Sequence, residues 1–225
     1  MEKYKENITL KDVEKNDAIS TYIKRGDDVL SVMGYTDHSA GHTLKIASGA
    51  SMILETFGYT KREIELVEIA AYMHDIGNVV NRADHAHTGA IMAFTLLSAM
   101  QMPPEEIAVI ISAIGNHDEN DGRPVNNVSA ALIIADKCDV RRSRVKNQDI
   151  ATFDIHDRVN YAVEDANLEI GEETREINLK LTIDTSMCSV MEYFEIFLAR
   201  MMMSAKATEF LRATFHLYIN DAKLM

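Results

Sequence analysis

The stretch AAYMHDIGN, residues 70–78, sets a His-Asp pair behind an apolar approach and in front of a glycine. Reading backwards, Thr60 is placed as a helix N-cap with Glu63, three residues on, as its capping-box partner. The predicted helix runs through Ile64, Val67 and Ala70 to His74 and ends near Gly77. Upstream, Ile46, Ala50, Ile53 and Phe57 recur at spacings of four, three and four, which draws one inward stripe on a helix beginning near Asp37. His42 falls on that stripe. Downstream, helices are expected from about His87 to Met100, from Pro103 or Pro104 to about His117, and from about Asn126 to Arg144. With 3 prolines, no tryptophan and long runs of Ala, Ile, Leu, Met and Glu, the fold class is mainly α, a helical bundle.

Beyond Asn147 the pattern changes. Ile177, Leu179, Leu181 and Ile183 alternate with Asn178, Lys180, Thr182 and Asp184, a strand signature, and Leu168 and Ile170 supply a partner strand across Gly171–Thr174. A β-hairpin is expected, followed by one or two helices from Ser189 to about Asn220. Residues 1–147 are therefore read as a helical domain and 148–225 as a small α+β extension packed on it. The cluster Met201, Met202 and Met203 belongs to a core or a subunit interface, so a homodimer is admitted, and His216 is placed in the same helix packing. His156-Asp157, in FDIHDRVN, lacks the apolar approach and the following glycine and is read as a helix start.

The 225 residues carry 23 Lys+Arg against 35 Asp+Glu, a formal charge of −12, which repels long nucleic acids. No apolar run reaches the roughly 20 residues needed to cross a bilayer, and the first residues lack the apolar centre of a signal peptide. No membrane partner is expected, and the expected location is cytoplasmic. Cys138 and Cys188 match no CxxC pattern, which excludes a cysteine-ligated zinc and favours reduced thiols.

Six of the eight histidines lie between residues 38 and 117. Any one of them alone is more often a hydrogen-bonded core residue than a ligand. The combination reads differently: His42 faces inward on one helix, His74-Asp75 ends the next, and Asp136 sits in the apolar run ALIIADKCD, residues 131–139, where an unpaired carboxylate is expensive. A divalent cation shared by two imidazoles and two carboxylates satisfies all four, and mixed N/O ligation suits Mn, Fe, Co, Ni or Zn better than Ca.

His42 in HTLKIA, His74-Asp75 in AxxHDIG and Asp136 in ADKCD resemble the ordered H…HD…D signature of the HD superfamily of metal-dependent phosphohydrolases, over roughly residues 36–146. The resemblance implies an all-helical core of five or more helices with metal at its centre. In the binuclear branch that includes HD-GYP domains, further histidines lie between the HD pair and the last Asp. His85, four residues before Gly89, and His117, in GNHDENDG, are similar in position, with His87 an alternative to His85. The resemblance thus implies one or two divalent metals per chain, held by His42, His74, Asp75, His85, His117 and Asp136. Two departures weigh against cyclic di-GMP hydrolysis: Asn78 stands where a Lys commonly follows HDIG, and Arg123-Pro124 follows Asp121-Gly122 where GYP is expected. The acidic pair of guanosine tetraphosphate hydrolases is missing as well.

A coordinated water, its pKa lowered from 15.7 towards about 7, is the expected nucleophile. Asp75 is the natural bridging carboxylate, and His85 or His117, if not a ligand, can donate a proton to the leaving group. For phosphate recognition the candidates are Arg141, Arg142 and Arg144, expected one to two helical turns past Asp136, with Lys45 and Lys137. A basic helix end and surface lysines are the plain alternatives. Asp139 is read as supporting the site or holding an arginine. The expected function is hydrolysis of a phosphomonoester or phosphodiester of a nucleotide or other small metabolite. A di-iron oxygenase of the same superfamily, or a regulatory HD module without turnover, is the alternative.

Overall fold

Thr60 does cap a helix. In the computed structural model, which describes residues 4, 5 and 7–225, the Thr60 hydroxyl accepts from the Glu63 amide and the Glu63 carboxylate accepts from the Thr60 amide, 3.2 and 3.0 Å. From this cap α4 (Lys61–Met73) runs with Val67, Ile69, Ala70 and Met73 fully buried. The regular helix ends at His74, earlier than Gly77, and Ile76–Val79 tighten into a 3-10 turn. Gly77 explains the change: the following helix passes so close that a Cβ on Gly77 would lie 2.1 Å from the His85 carbonyl oxygen.

Before α4 come α1 (Leu10–Glu14), α2 (Asp17–Val32) and α3 (Ala40–Thr56). The stripe on α3 is inward as expected, with His42, Ile46, Ala50 and Ile53 all buried. After it come α5 (His85–Ala99), α6 (Pro104–Gly115) and α7 (Asn127–Lys137). One boundary departs from expectation: α7 stops at Lys137 rather than Arg144, and Arg142–Arg144 form a separate 3-10 turn. Side-chain bonds to distant partners pull this segment off the helix axis. Asp139 turns in to His42, and the Arg144 guanidinium donates to the carbonyls of Asp37 and Asp139.

Helix α8 (Ile155–Ala162) begins at an Asp154 cap, as the FDIHDRVN reading expected. Strands β1 (Val163–Gly171) and β2 (Glu176–Ile183) form the expected hairpin, with Leu168 opposite Leu179 and Ile170 opposite Ile177. A single helix, α9 (Val190–Phe210), follows. The remainder, expected to be helical, is strand: β3 (Thr214–Ile219) pairs parallel to β2, and β4 (Ala222–Lys223) closes an antiparallel edge, giving the order β1-β2-β3-β4. His216 therefore lies on β3, 3.6 Å from Glu176, and not in helix packing. The alternation of buried Phe215, Leu217 and Ile219 is the physical reason. Met201 and Met203 are buried while Met202 is exposed. The molecule is thus mainly α with a C-terminal α+β element, and its apolar core is continuous from Ile8 to Ile219. No helix among the described residues is long and apolar enough to cross a membrane.

Candidate metal centre

Five imidazoles converge between α3, α4, α5, α6 and α7, and each is oriented by a bond at Nδ1. In His42 that nitrogen donates to Asp139 Oδ2 at 2.9 Å, and in His74, His85 and His117 to the carbonyls of Ala71, Arg82 and Ile114 at 2.7, 3.0 and 2.6 Å. His38, just before α3, uses the Thr36 carbonyl at 2.6 Å. With Nδ1 as donor, Nε2 is the nitrogen of each ring left to ligate, the arrangement that fixes the tautomer of a metal-binding histidine.

The Nε2 atoms meet two carboxylates. Asp136 Oδ1 lies 3.7 Å from Nε2 of both His42 and His74, and Asp75 Oδ2 lies 3.1 Å from His74 Nε2. The other oxygen of Asp75 faces the opposite side, 3.4 Å from His85 Nε2 and 3.9 Å from His117 Nε2. Nε2 of His85 and His117 are themselves 3.2 Å apart. Ligand atoms of His42, His74 and Asp136 fall within 4.8 Å of one another, as do those of His74, Asp75 and His117. All six predicted ligands are thus brought together, and His87 is not among them: it is exposed beside Asp121.

Two observations test whether these residues fit a divalent ion. Nε2 of His42 and of His74 is fully buried with no hydrogen-bond partner among the described residues, a cost that coordination removes. The donor set also suits a borderline cation: imidazole nitrogens and carboxylate oxygens, with no thiol. Burial, with neighbouring positive charge, drives His38 and His42 below the usual histidine range and His117 down to about 3. His74 is the exception. Burial pushes it down, but Asp75 and Asp136 beside it prevail and raise it to about 10, so positive charge is strongly favoured at this point.

The cationic candidates separate. Arg144 is buried and lines a cavity of about 330 Å³ beside the centre, its Nη2 3.3 Å from His38 Nε2. Arg141 is held by Asp139 at 2.8 Å. Arg142 turns away, donating to the Tyr161 carbonyl at 2.7 Å and stacking on its ring, so the expected RRSR cluster is divided. Lys45 pairs with Asp139 at 2.9 Å and lines a different hollow with Cys138. Lys137 is buried between Asp136 and Glu119. No motif or spacing singles out Arg82 and Arg200, yet both line the cavity, as does His156. Arg82 stands 3.3 Å from His85 Nε2 and 3.7 Å from Asp75, seven residues past it in the sequence. His38, four residues before His42, was the one omission with a legible signal.

Residues 39–141 match the model of the HD domain family. The chain is 25% identical over 188 residues to the uncharacterized protein MJ1020 of Methanocaldococcus jannaschii, covering 71% of this chain and 70% of that protein. A crystal structure of a predicted HD superfamily hydrolase from an uncultured Thermotogales bacterium is 23% identical, covers 56% of this chain and 68% of its own, and superposes with a TM-score of 0.45.

Proposed function

We propose that the chain is a metal-dependent phosphohydrolase acting on a small phosphorylated metabolite, nucleotide-like in character, at the centre just described. The observation that carries this is the pair of buried, unpartnered Nε2 atoms of His42 and His74 facing Asp75 and Asp136, beside a cavity lined by Arg82 and Arg144. A divalent ion bound there would supply an acidified water and would offset charge developing on phosphoryl oxygens. His42, His74, Asp75 and Asp136 would hold one divalent ion, and His85 and His117, with Asp75, would hold a second. Asp139 keeps His42 in the ligating tautomer. Arg82 and Arg144 present guanidinium donors to the phosphate, and the cavity volume matches a small ligand. The acidic chain favours such a substrate over long nucleic acids.

The test is metal analysis of the purified protein, then a panel of phosphomonoesters and phosphodiesters with Mn, Fe, Co, Ni and Zn. One or two ions per chain are expected. His42→Ala, His74→Ala, Asp75→Ala and Asp136→Ala are each expected to abolish turnover and lower bound metal with helical circular dichroism retained. His85→Ala or His117→Ala is expected to lower the stoichiometry from about two to about one. Full metal and turnover in the first four variants would overturn the assignment. Oxygen uptake by the iron-loaded protein, without phosphatase activity, would replace hydrolysis by oxidation.

A further inference from the structure

We infer that Lys137, Glu119 and Arg200 are positioning residues for the metal ligand Asp136, so that the C-terminal helix α9 is a working part of the metal centre; this rests on the metal-centre reading above. Lys137 is among the largest fully buried side chains of the molecule. Its ammonium lies 2.8 Å from Asp136 Oδ2 and 2.6 Å from Glu119 Oε2. Glu119 Oε1 in turn accepts from Arg200 Nε at 3.0 Å, and the Arg200 guanidinium stacks over Phe197 of α9. The chain of contacts therefore runs from α9, through the loop after α6, to the last turn of α7.

A buried ammonium beside a dication-binding carboxylate needs a reason, because it repels the ion, and an apolar residue at the same place would stabilise the fold as well or better. What Lys137 does that no apolar residue can is occupy Oδ2. Asp136 then offers a single oxygen, Oδ1, equidistant from Nε2 of His42 and His74. Glu119, paired with the ammonium, offsets part of its repulsion of the ion while the carboxylate is oriented. Arg200 is the only link of the chain that comes from beyond residue 147, and it fixes the Glu119 oxygen that Lys137 does not use. A second tie between the same helices, Cys138 Sγ to Ser204 Oγ at 3.9 Å, lies outside this path and provides a control.

The experiment uses the full chain, stripped of metal and titrated with Co²⁺, read by calorimetry and by the visible absorption of the bound ion. Glu119→Gln and Arg200→Ala are expected to weaken Co²⁺ binding about 10- to 100-fold and to change the absorption band, while Arg200→Lys restores part of the affinity. Ser204→Ala, which removes the other α7–α9 tie, is expected to bind as the parent does. His74→Ala gives the scale for loss of a ligand. If Glu119→Gln and Arg200→Ala keep the parent affinity and spectrum while His74→Ala loses them, the relay is refuted and the metal centre stands. If Ser204→Ala weakens binding as much as Arg200→Ala, helix docking rather than the relay is responsible, and the proposal falls. If the parent takes up no Co²⁺, the metal reading fails and takes this one with it.

Discussion

Asp139 carries more of the site's architecture than its place just beyond α7 suggests. One oxygen accepts from His42 Nδ1, the other from Arg141 Nε at 2.8 Å and from Lys45 at 2.9 Å, with Arg144 3.8 Å away. Burial alone pushes its pKa up, but the His42 hydrogen bond and the arginines hold it well below the usual carboxylate range. A depressed carboxylate stabilises the fold above the unfolded pKa of about 3.9 and loses that contribution as pH falls through the folded value. Asp139→Asn is therefore expected to lose about 3 kcal/mol near neutral pH, since it leaves Arg144 without its carboxylate. Urea titrations across pH check this: the gap from the parent should narrow below about pH 4, and a gap independent of pH would refute the charge argument. Cys138 illustrates the opposite shift, its thiol pushed up to about 12 by burial. At pH 8 it is expected to resist iodoacetamide in the folded protein and react after unfolding, as mass spectrometry of the alkylated chain would show. His42, His74 and Asp136 were legible in the sequence because apolar periodicity placed each polar group where it needed a partner. Arg82 and Arg200 were not, because nothing local distinguishes a cavity arginine from a surface one.

At the scale of elements, the crossing of α5 over the turn after α4 is the tightest joint of the centre, since it sets His85 against Asp75. Gly77 makes it possible, and an added methyl would meet His85 O at 2.1 Å and Gly89 N at 2.6 Å, both of them backbone atoms unable to swing aside. Gly77→Ala is expected to destabilise the protein by about 3 kcal/mol or more and to displace His85, with thermal melting and metal stoichiometry as the measurements. A parent-like melting temperature would show that the helices can separate there without loss. The helix starts at Thr60 and Asn126 were readable because capping is local: Asn126 accepts from the Ser129 amide at 2.7 Å. The end of α7 was not readable. It is decided by Arg144 reaching back to Asp37, more than a hundred positions away, and propensity has no access to such a contact. The third strand was legible in principle through Phe215, Leu217 and Ile219, but the helical pattern running into it from α9 obscured the change of period.

For the whole molecule, the division of the RRSR segment shows how the extension and the helical core share labour. Arg142 belongs to the extension, through Tyr161 and Glu164, whereas Arg144 faces the cavity. On the phosphohydrolase reading, Arg144→Lys is expected to lower kcat/KM by about 10-fold or more on the best phosphorylated substrate, because an ammonium cannot reproduce a planar fork. Arg142→Lys should leave kcat/KM within about 2-fold of the parent. Equal losses in both would return the segment to a single phosphate-binding cluster. The parallel pairing of β2 with β3 has a consequence in time. Antiparallel neighbours such as β1 and β2 meet through a short turn, but Glu176 finds Thr214 only after the whole of α9 has been laid down between them. Closing so long a stretch before any ladder bond forms is slow, and the crossover that must wait for it is the helix bearing Arg200. The helices around His74 can therefore assemble ahead of the strand that locks α9 in place. In refolding, helical signal should return in a fast phase, and tight uptake of metal should lag behind it.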